Sequence, residues 1–197
     1  MPVIECDPSE ARDRLEAAGI EIDQGNTEHE RWRATHEGAT AVAYDDKVVV
    51  QGERPQGLVG RLSDDHDGQA YVYFDGASRG NPGPAAIGWV IVTSDGIVDE
   101  GGERIGKATN NEAEYHALIR GVTAAQDYGF DSVIVQGDSE LIVKQIRGEY
   151  DVNAPGLKDL RVTALERLTT FDTWELNHVP RSVNERADSL AADALDD

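Results

Sequence analysis

Four acids stand where acids are costly. Asp75 interrupts the apolar and aromatic run Tyr71-Val-Tyr-Phe74 and leads straight into the turn Gly76-Ala-Ser-Arg-Gly-Asn-Pro-Gly83. An ionised carboxylate in a sheet centre costs several kcal/mol unless it is paired, hydrogen-bonded or bound to a cation, so Asp75 calls for a partner. Asp138 follows Ser132-Val-Ile-Val-Gln136 and precedes a helical stretch. That puts it at the carboxyl end of a strand, where open α/β sheets place their sites. Glu114 lies on the line Glu114, Leu118, Gly121, Ala125, Tyr128, the inward stripe of a helix, whereas Glu112 has no such neighbours. Asp188 shares a helix face with Ala191, Ala192 and Leu195.

Any one of the 38 acids in this chain reads most simply as a solvated surface charge, and only the joint pattern overturns that reading. Four carboxylates in one pocket repel one another unless divalent cations, which prefer oxygen ligands, hold them together. The expected cofactor is Mg2+, two ions per site, with Mn2+ as a substitute. Ions about 4 Å apart can activate a water on one side of a phosphodiester and stabilise the leaving oxygen on the other. The chemistry so implied is phosphodiester hydrolysis.

The elements that must position these acids can be read from pattern and punctuation. Tyr71–Ala77, Ile87–Thr93 and Ile97–Arg104 read as strands joined by turns at Asn81-Pro-Gly83 and Ser94-Asp-Gly96, an antiparallel meander. Thr109 or Asn110 caps a helix that runs to about Tyr128 and ends at Gly129. A short buried strand over Ser132–Gln136, helices over Ser139–Arg147 and Leu157–Leu168, a strand over Thr173–Val179 and a helix over Val183–Leu195 complete the order. This β-β-β-α-β-α-α-β-α sequence predicts an α/β (mixed) fold, a five-stranded mixed sheet with helices on both faces.

Ahead of it, residues 62–69 are polar and acidic without periodicity, which divides the chain into residues 1–64, a linker at 65–68 and residues 69–197. The first part reads as a small α+β domain. It has a helix over Pro8–Gly19, strands at Trp32–Thr35, Thr40–Tyr44 and Val48–Gln51 with a hairpin turn at Asp45-Asp46-Lys47, and a helix over Arg54–Leu62. Trp32 reads as a core residue of that sheet. The alternative is that it joins Arg31, Arg33 and Lys47 in a nucleic-acid-contacting surface.

The quoted runs resemble type 1 ribonuclease H over roughly residues 69–197. Tyr-Phe-Asp75-Gly-Ala-Ser-Arg-Gly-Asn81-Pro-Gly is similar to that family's first-strand motif. Thr109-Asn110-Asn111-Glu-Ala-Glu114 resembles its first-helix motif, Gly137-Asp138-Ser139 its third acidic motif and Asn184-Glu-Arg-Ala-Asp188 its fourth. The resemblance implies endonucleolytic cleavage of the RNA strand of an RNA/DNA hybrid, leaving 5′-phosphate and 3′-hydroxyl ends, with Asp75, Glu114, Asp138 and Asp188 as metal ligands. Double-stranded RNA is a further candidate substrate. Gly76, Asn81, Asn110, Asn111 and Ser139 are the expected substrate-binding residues, since short polar side chains and exposed amides suit 2′-hydroxyls in a shallow minor groove. The competing readings are a non-catalytic hybrid-binding protein and another nuclease of the same superfamily.

The chain departs from that family in two places. The loop in which many members carry a catalytic His reads His178-Val-Pro-Arg181-Ser-Val, and His178 falls on the strand alternation Trp174, Leu176, His178. Arg181 is therefore expected to sit in the loop and contact the scissile phosphate, as an always-charged fork can. The family's lysine-rich handle is replaced by Gly148-Glu-Tyr-Asp-Val-Asn-Ala-Pro155.

Charge sharpens the second point. The net charge is −20, and the 18 bases comprise 14 Arg and only 4 Lys. Residues 1–68 hold 16 acids and 7 bases (−9) and residues 69–197 hold 22 and 11 (−11), so no acidic tail accounts for it. Such a surface fits cytoplasm with molar salt, where the Debye length shrinks to about 3 Å. Phosphate attraction weakens there, so substrate binding must rest on metal, hydrogen bonds and shape. No apolar run approaches membrane-spanning length, and the N-terminus lacks the order of a signal peptide. A cytoplasmic location is expected, with no membrane association and no obligate protein partner. The single cysteine, Cys6, reads as inert.

Overall fold

The chain is described by a computed structural model over residues 2–36, 38–52, 55–62, 68–94 and 96–196. It divides into two compact units, residues 1–67 with 127–129 and residues 68–126 with 130–197. Arg54 at the expected start of the second helix, residues 65–67 of the expected linker and Asp95 in the second turn lie outside the described residues.

The first unit is a five-stranded antiparallel sheet with two helices. Its elements run β1 (Val3–Glu5), α1 (Pro8–Ala17), β2 (Ile22–Gln24), β3 (Trp32–His36), β4 (Ala39–Ala43), β5 (Lys47–Gly52) and α2 (Gln56–Leu62), and the sheet order is β1-β5-β4-β3-β2. Asp7 caps α1 by accepting the Ser9 and Glu10 amides at 2.7 and 3.3 Å, and Pro8 supplies a first-turn φ without needing a donor. The β4–β5 hairpin closes where the Tyr44 amide donates to the Lys47 carbonyl at 2.8 Å. Strands β1 and β2 are additions to the sequence reading; at three residues each they are too short to show a period. Trp32 is 5 % exposed and donates its indole N–H to the Pro8 carbonyl at 2.8 Å, so it lies in the core with Leu15, Val48, Val50 and Leu58.

The second unit holds β6 (Gln69–Ser78), β7 (Gly83–Thr93), β8 (Gly96–Ala108), α3 (Asn110–Asp127), β9 (Ser132–Gly137), α4 (Glu140–Ile146), α5 (Pro155–Leu168), β10 (Thr173–His178) and α6 (Arg181–Asp196). The sheet order is β10-β9-β6-β7-β8. The pairs β10–β9 and β9–β6 are parallel, and β6–β7 and β7–β8 are antiparallel. This is a five-stranded mixed sheet, as the element order predicts. Strand β7 starts at Gly83, four residues before the expected Ile87, because Ala85 and Ala86 are buried small residues paired with Ser78 and Ala77 rather than loop.

Two glycine contacts bring helices onto opposite faces. In the β6–β7 register Asp75 faces Gly88 and Gly76 faces Ile87, so Gly76 and Gly88 lie on different sides of the sheet. A Cβ at Gly76 would stand 2.3 Å from the backbone of Ala113 and Glu114 in α3. A Cβ at Gly88 would stand 2.2 Å from the Ala187 carbonyl in α6. Both helices thus approach the sheet at backbone distance beside Asp75. Among the described residues no helix is long and apolar enough to cross a membrane.

Candidate active site

Asp75 sits in the central strand at 6 % exposure, and its pKa is pushed up to about 7. Burial is the main cause, the charges of Asp138 and Asp188 add to it, and Arg181 opposes it. Glu114 enters from the first turns of α3, which begins with a reciprocal cap. The Thr109 hydroxyl accepts the Glu112 amide at 3.2 Å, and the Glu112 carboxylate accepts the Thr109 amide at 2.7 Å. This leaves Glu112 spent on the cap and turns Glu114 inward at 6 % exposure. Burial pushes the Glu114 pKa well up, Asp75 and Asp138 add to it, and an accepted hydrogen bond from the Gly76 amide opposes it. Its Oε2 is buried with no hydrogen-bond partner among the described residues.

Asp138 follows β9 and precedes Ser139, the N-cap residue of α4. One carboxylate oxygen each from Asp75, Glu114 and Asp138 lie within 4.8 Å of one another. Asp188 on α6 is outside that trio, yet its charge acts on both Asp75 and Glu114. Its Oδ1 accepts from Arg181 Nη2 at 2.7 Å. Arg181 is the first residue of α6, two residues earlier than the expected helix start, so it is a helix residue and not a loop residue. Its side chain is 74 % exposed and engaged with an acid. His178 ends β10, and its Nε2 lies 3.2 Å from the Asp138 carbonyl oxygen, which places the ring beside the site.

The expected substrate-contacting residues divide. Asn81 and Asn110 are exposed, and the Asn81 Oδ1 accepts the Asn110 amide at 3.2 Å, tying the β6–β7 turn to the start of α3. Asn111 and Ser139 are half-buried, and Ser139 makes no side-chain cap bond. Gly76 is buried, and the close approach of α3 alone requires a glycine there. Asn184 opens the run that resembles the fourth acidic motif, but the sequence alone gives it no role. It is 1 % exposed in the first turn of α6, and its Nδ2 donates to the Phe74 carbonyl at 2.8 Å.

The donor set suits a hard cation. Two nine-tenths-buried carboxylates, a third within reach and an orphaned Glu114 oxygen are disfavoured as a bare cluster and favoured around a divalent ion with oxygen preference. Asp75 within the central strand, Glu114 on α3 and Asp138 just past β9 converge beside a mixed sheet, a donor arrangement of the class suited to metal-assisted hydrolysis. The comparisons with known proteins carry this further. Residues 73–194 match the family model described as "Reverse transcriptase-like". The whole chain is 56 % identical over 198 residues to ribonuclease HI of Halobacterium salinarum, covering 100 % of both, so the relative shares the first unit too. The crystal structure of ribonuclease H1 from that halophilic archaeon superposes with a TM-score of 0.64 at 60 % identity, covering 65 % of this chain and 98 % of that one. A structure of LC11 ribonuclease H1 in complex with an RNA/DNA hybrid gives 0.61 at 40 % identity over 64 % of this chain and 96 % of its own. The chain belongs to the ribonuclease HI family and is a ribonuclease H enzyme.

Proposed function

We propose that the protein is an endonuclease that hydrolyses the RNA strand of RNA/DNA hybrids with divalent metal, leaving 5′-phosphate and 3′-hydroxyl ends. The observation that carries this is the convergence of the buried Asp75 and Glu114 with Asp138 to within 4.8 Å. When bound, two Mg2+ ions, or Mn2+ in their place, supply an activated water and stabilisation of the leaving oxygen. Asp75, Glu114 and Asp138 would hold one ion, and Asp75 with Asp188 the other. Burial keeps competing water from the carboxylates and strengthens their hold on a cation.

Arg181 is bonded to Asp188, and in this reading its guanidinium meets the scissile phosphate. It presents a fixed positive fork to that phosphate and takes no proton. Asn81 and Asn110 are exposed and held together; in this reading they bond the sugar edges of the hybrid, with Asn111 and Ser139 as further contacts. The complex of the LC11 ribonuclease H1 with an RNA/DNA hybrid supports the substrate class. The acidic, lysine-poor composition and the halophilic relative support salt-tolerant activity in the cytoplasm of a salt-adapted cell. We read residues 1–64 as a separate domain joined through residues 65–68 to the catalytic residues 69–197.

The test is cleavage of a labelled RNA/DNA hybrid beside DNA duplex and double-stranded RNA, at low and molar salt, with Mg2+ or Mn2+. Cutting of the hybrid's RNA strand that depends on metal and vanishes in Asp75→Asn is expected. Hybrid that is bound and never cut would favour a non-catalytic binding protein.

A further inference from the structure

Asn184 is the buried polar side chain beside the acids that the chemistry above leaves unused. Its Nδ2 is bonded to the Phe74 carbonyl, while its Oδ1 is buried with no hydrogen-bond partner among the described residues. A half-satisfied buried amide is disfavoured relative to an apolar side chain of the same shape. Leucine has that shape, so packing alone gives no reason for asparagine here.

The position of the one bond supplies a reason. Phe74 immediately precedes Asp75, and it is the first residue beyond the parallel pairing of β6 with β9, whose last pair is Tyr73 with Gln136. Past that pair the two strands no longer share a ladder, and Asp75 and Asp138 lie there. At its other end, Asn184 is four residues before Asp188, on the same face of α6. One buried hydrogen bond therefore joins the residue before Asp75 to the helical turn before Asp188. Gly88 and Gly102 let α6 come close, but such contacts are less directional than a hydrogen bond in setting the position of the helix along its axis. Among the described residues, the other polar ties of α6 to the strands and their turns, Arg186 with Glu100, Arg104 with the Ala194 and Leu195 carbonyls, and Arg79 with Asp196, are exposed or partly so. Salt screens exposed ion pairs far more than it touches a buried amide bond.

We propose that Asn184 is a positioning residue that sets the register of the α6 carboxylate, Asp188, against the strand carboxylate, Asp75. The inference rests on the proposed joint action of those two acids. It acts through them and touches neither substrate nor metal.

The test compares the full-length wild type with Asn184→Leu, Asn184→Ala and Asp75→Asn. Thermal melting, kcat and KM on a labelled hybrid, and calorimetric titration with magnesium are read for each. Asn184→Leu is expected to melt close to the wild type, to lose about tenfold or more in kcat at unchanged KM, and to need severalfold more magnesium, as when an outer support of a metal ligand is removed. Asn184→Ala keeps the test open if the leucine variant does not fold, with the same kcat and magnesium shifts expected. Wild-type kcat and magnesium affinity in a folded variant, or losses that track only the unfolded fraction, would overturn the proposal. A wild type that cuts no hybrid would instead overturn the proposed function, and the magnesium titrations alone would then decide for or against Asn184.

Discussion

Each unit of the chain is built on a five-stranded sheet, yet they bury different chemistry. The first unit's core is Leu15, Trp32, Val48, Val50, Leu58, Leu62 and a set of alanines, and among the described residues it buries no charged or amide side chain. All four such buried side chains, Asp75, Glu114, Gln145 and Asn184, belong to the second unit. A sheet that needs only to be stable fills its interior with apolar groups. One that tolerates two buried acids and an orphaned carboxylate oxygen keeps them for another reason, since each disfavours folding.

The largest effect that could break this contrast is at Asp75. Asp75→Asn removes a buried charge that Asp138 and Asp188 repel. It is expected to lower hybrid cleavage by more than about a hundredfold, as loss of a metal ligand should exceed loss of an outer-shell partner. In chelator at neutral pH the same variant is expected to melt higher than the wild type. Lower stability together with lost activity would mean that Asp75 serves the fold, and the contrast would fail.

The pH dependence follows from the same group. Asp75 has a folded pKa of about 7 against an ordinary 3.8, so between those values the folded state holds a proton that the unfolded chain has released. Stability without metal is then greatest on the acid side of this window. It falls by up to several kcal/mol as pH rises to about 7, and levels off above. Glu114, also shifted up, adds to the fall. Saturating magnesium favours the ionised acids and should flatten the slope. Melting curves from pH 4 to 8 with and without magnesium check this, and an unchanged slope in Asp75→Asn would assign it elsewhere.

Gly88→Ala tests the scaffold under the acids. The new Cβ meets the Ala187 carbonyl at 2.2 Å, so α6 must shift. A loss of about 1–3 kcal/mol in stability is expected from overpacking. A fall in kcat beyond the unfolded fraction is also expected, because Asp188 moves with the helix. Denaturant melts and kinetics on one preparation separate the two.

The unequal legibility of the two units has the same physical root. An acid in an aromatic strand, or on an apolar helix stripe, conflicts with its surroundings, and the burial of Asp75 and Glu114 could be read from that conflict. The meander and the α3 cap follow from local punctuation, Gly-Asn-Pro-Gly and Thr-Asn-Asn-Glu. Strands β1 and β2 are held by pairing with β5 and β3 rather than by any periodicity of their own. The sequence puts the start of α6 two residues late because Arg181-Ser-Val looks like loop until Arg181 is seen bonded to Asp188, two turns along the same helix face. Asn184 was illegible as more than a polar helix residue, because its partner Phe74 lies 110 residues away in sequence.

The smallest expected effect lies in the first unit. Trp32→Phe keeps an aromatic ring in the core but removes the indole N–H that donates to the Pro8 carbonyl at the start of α1. About 1–2 kcal/mol of stability should go, from the lost hydrogen bond and the smaller ring. Cleavage per folded molecule should not change, since Trp32 is buried away from any ligand reaching that sheet and its unit holds none of the clustered acids. Melting and hybrid kinetics measured together decide it. If KM for the hybrid rises while kcat holds, the first unit contributes to substrate binding through its packed shape. The contrast would then lie between a unit that grips and a unit that cuts, rather than between one that merely folds and one that acts.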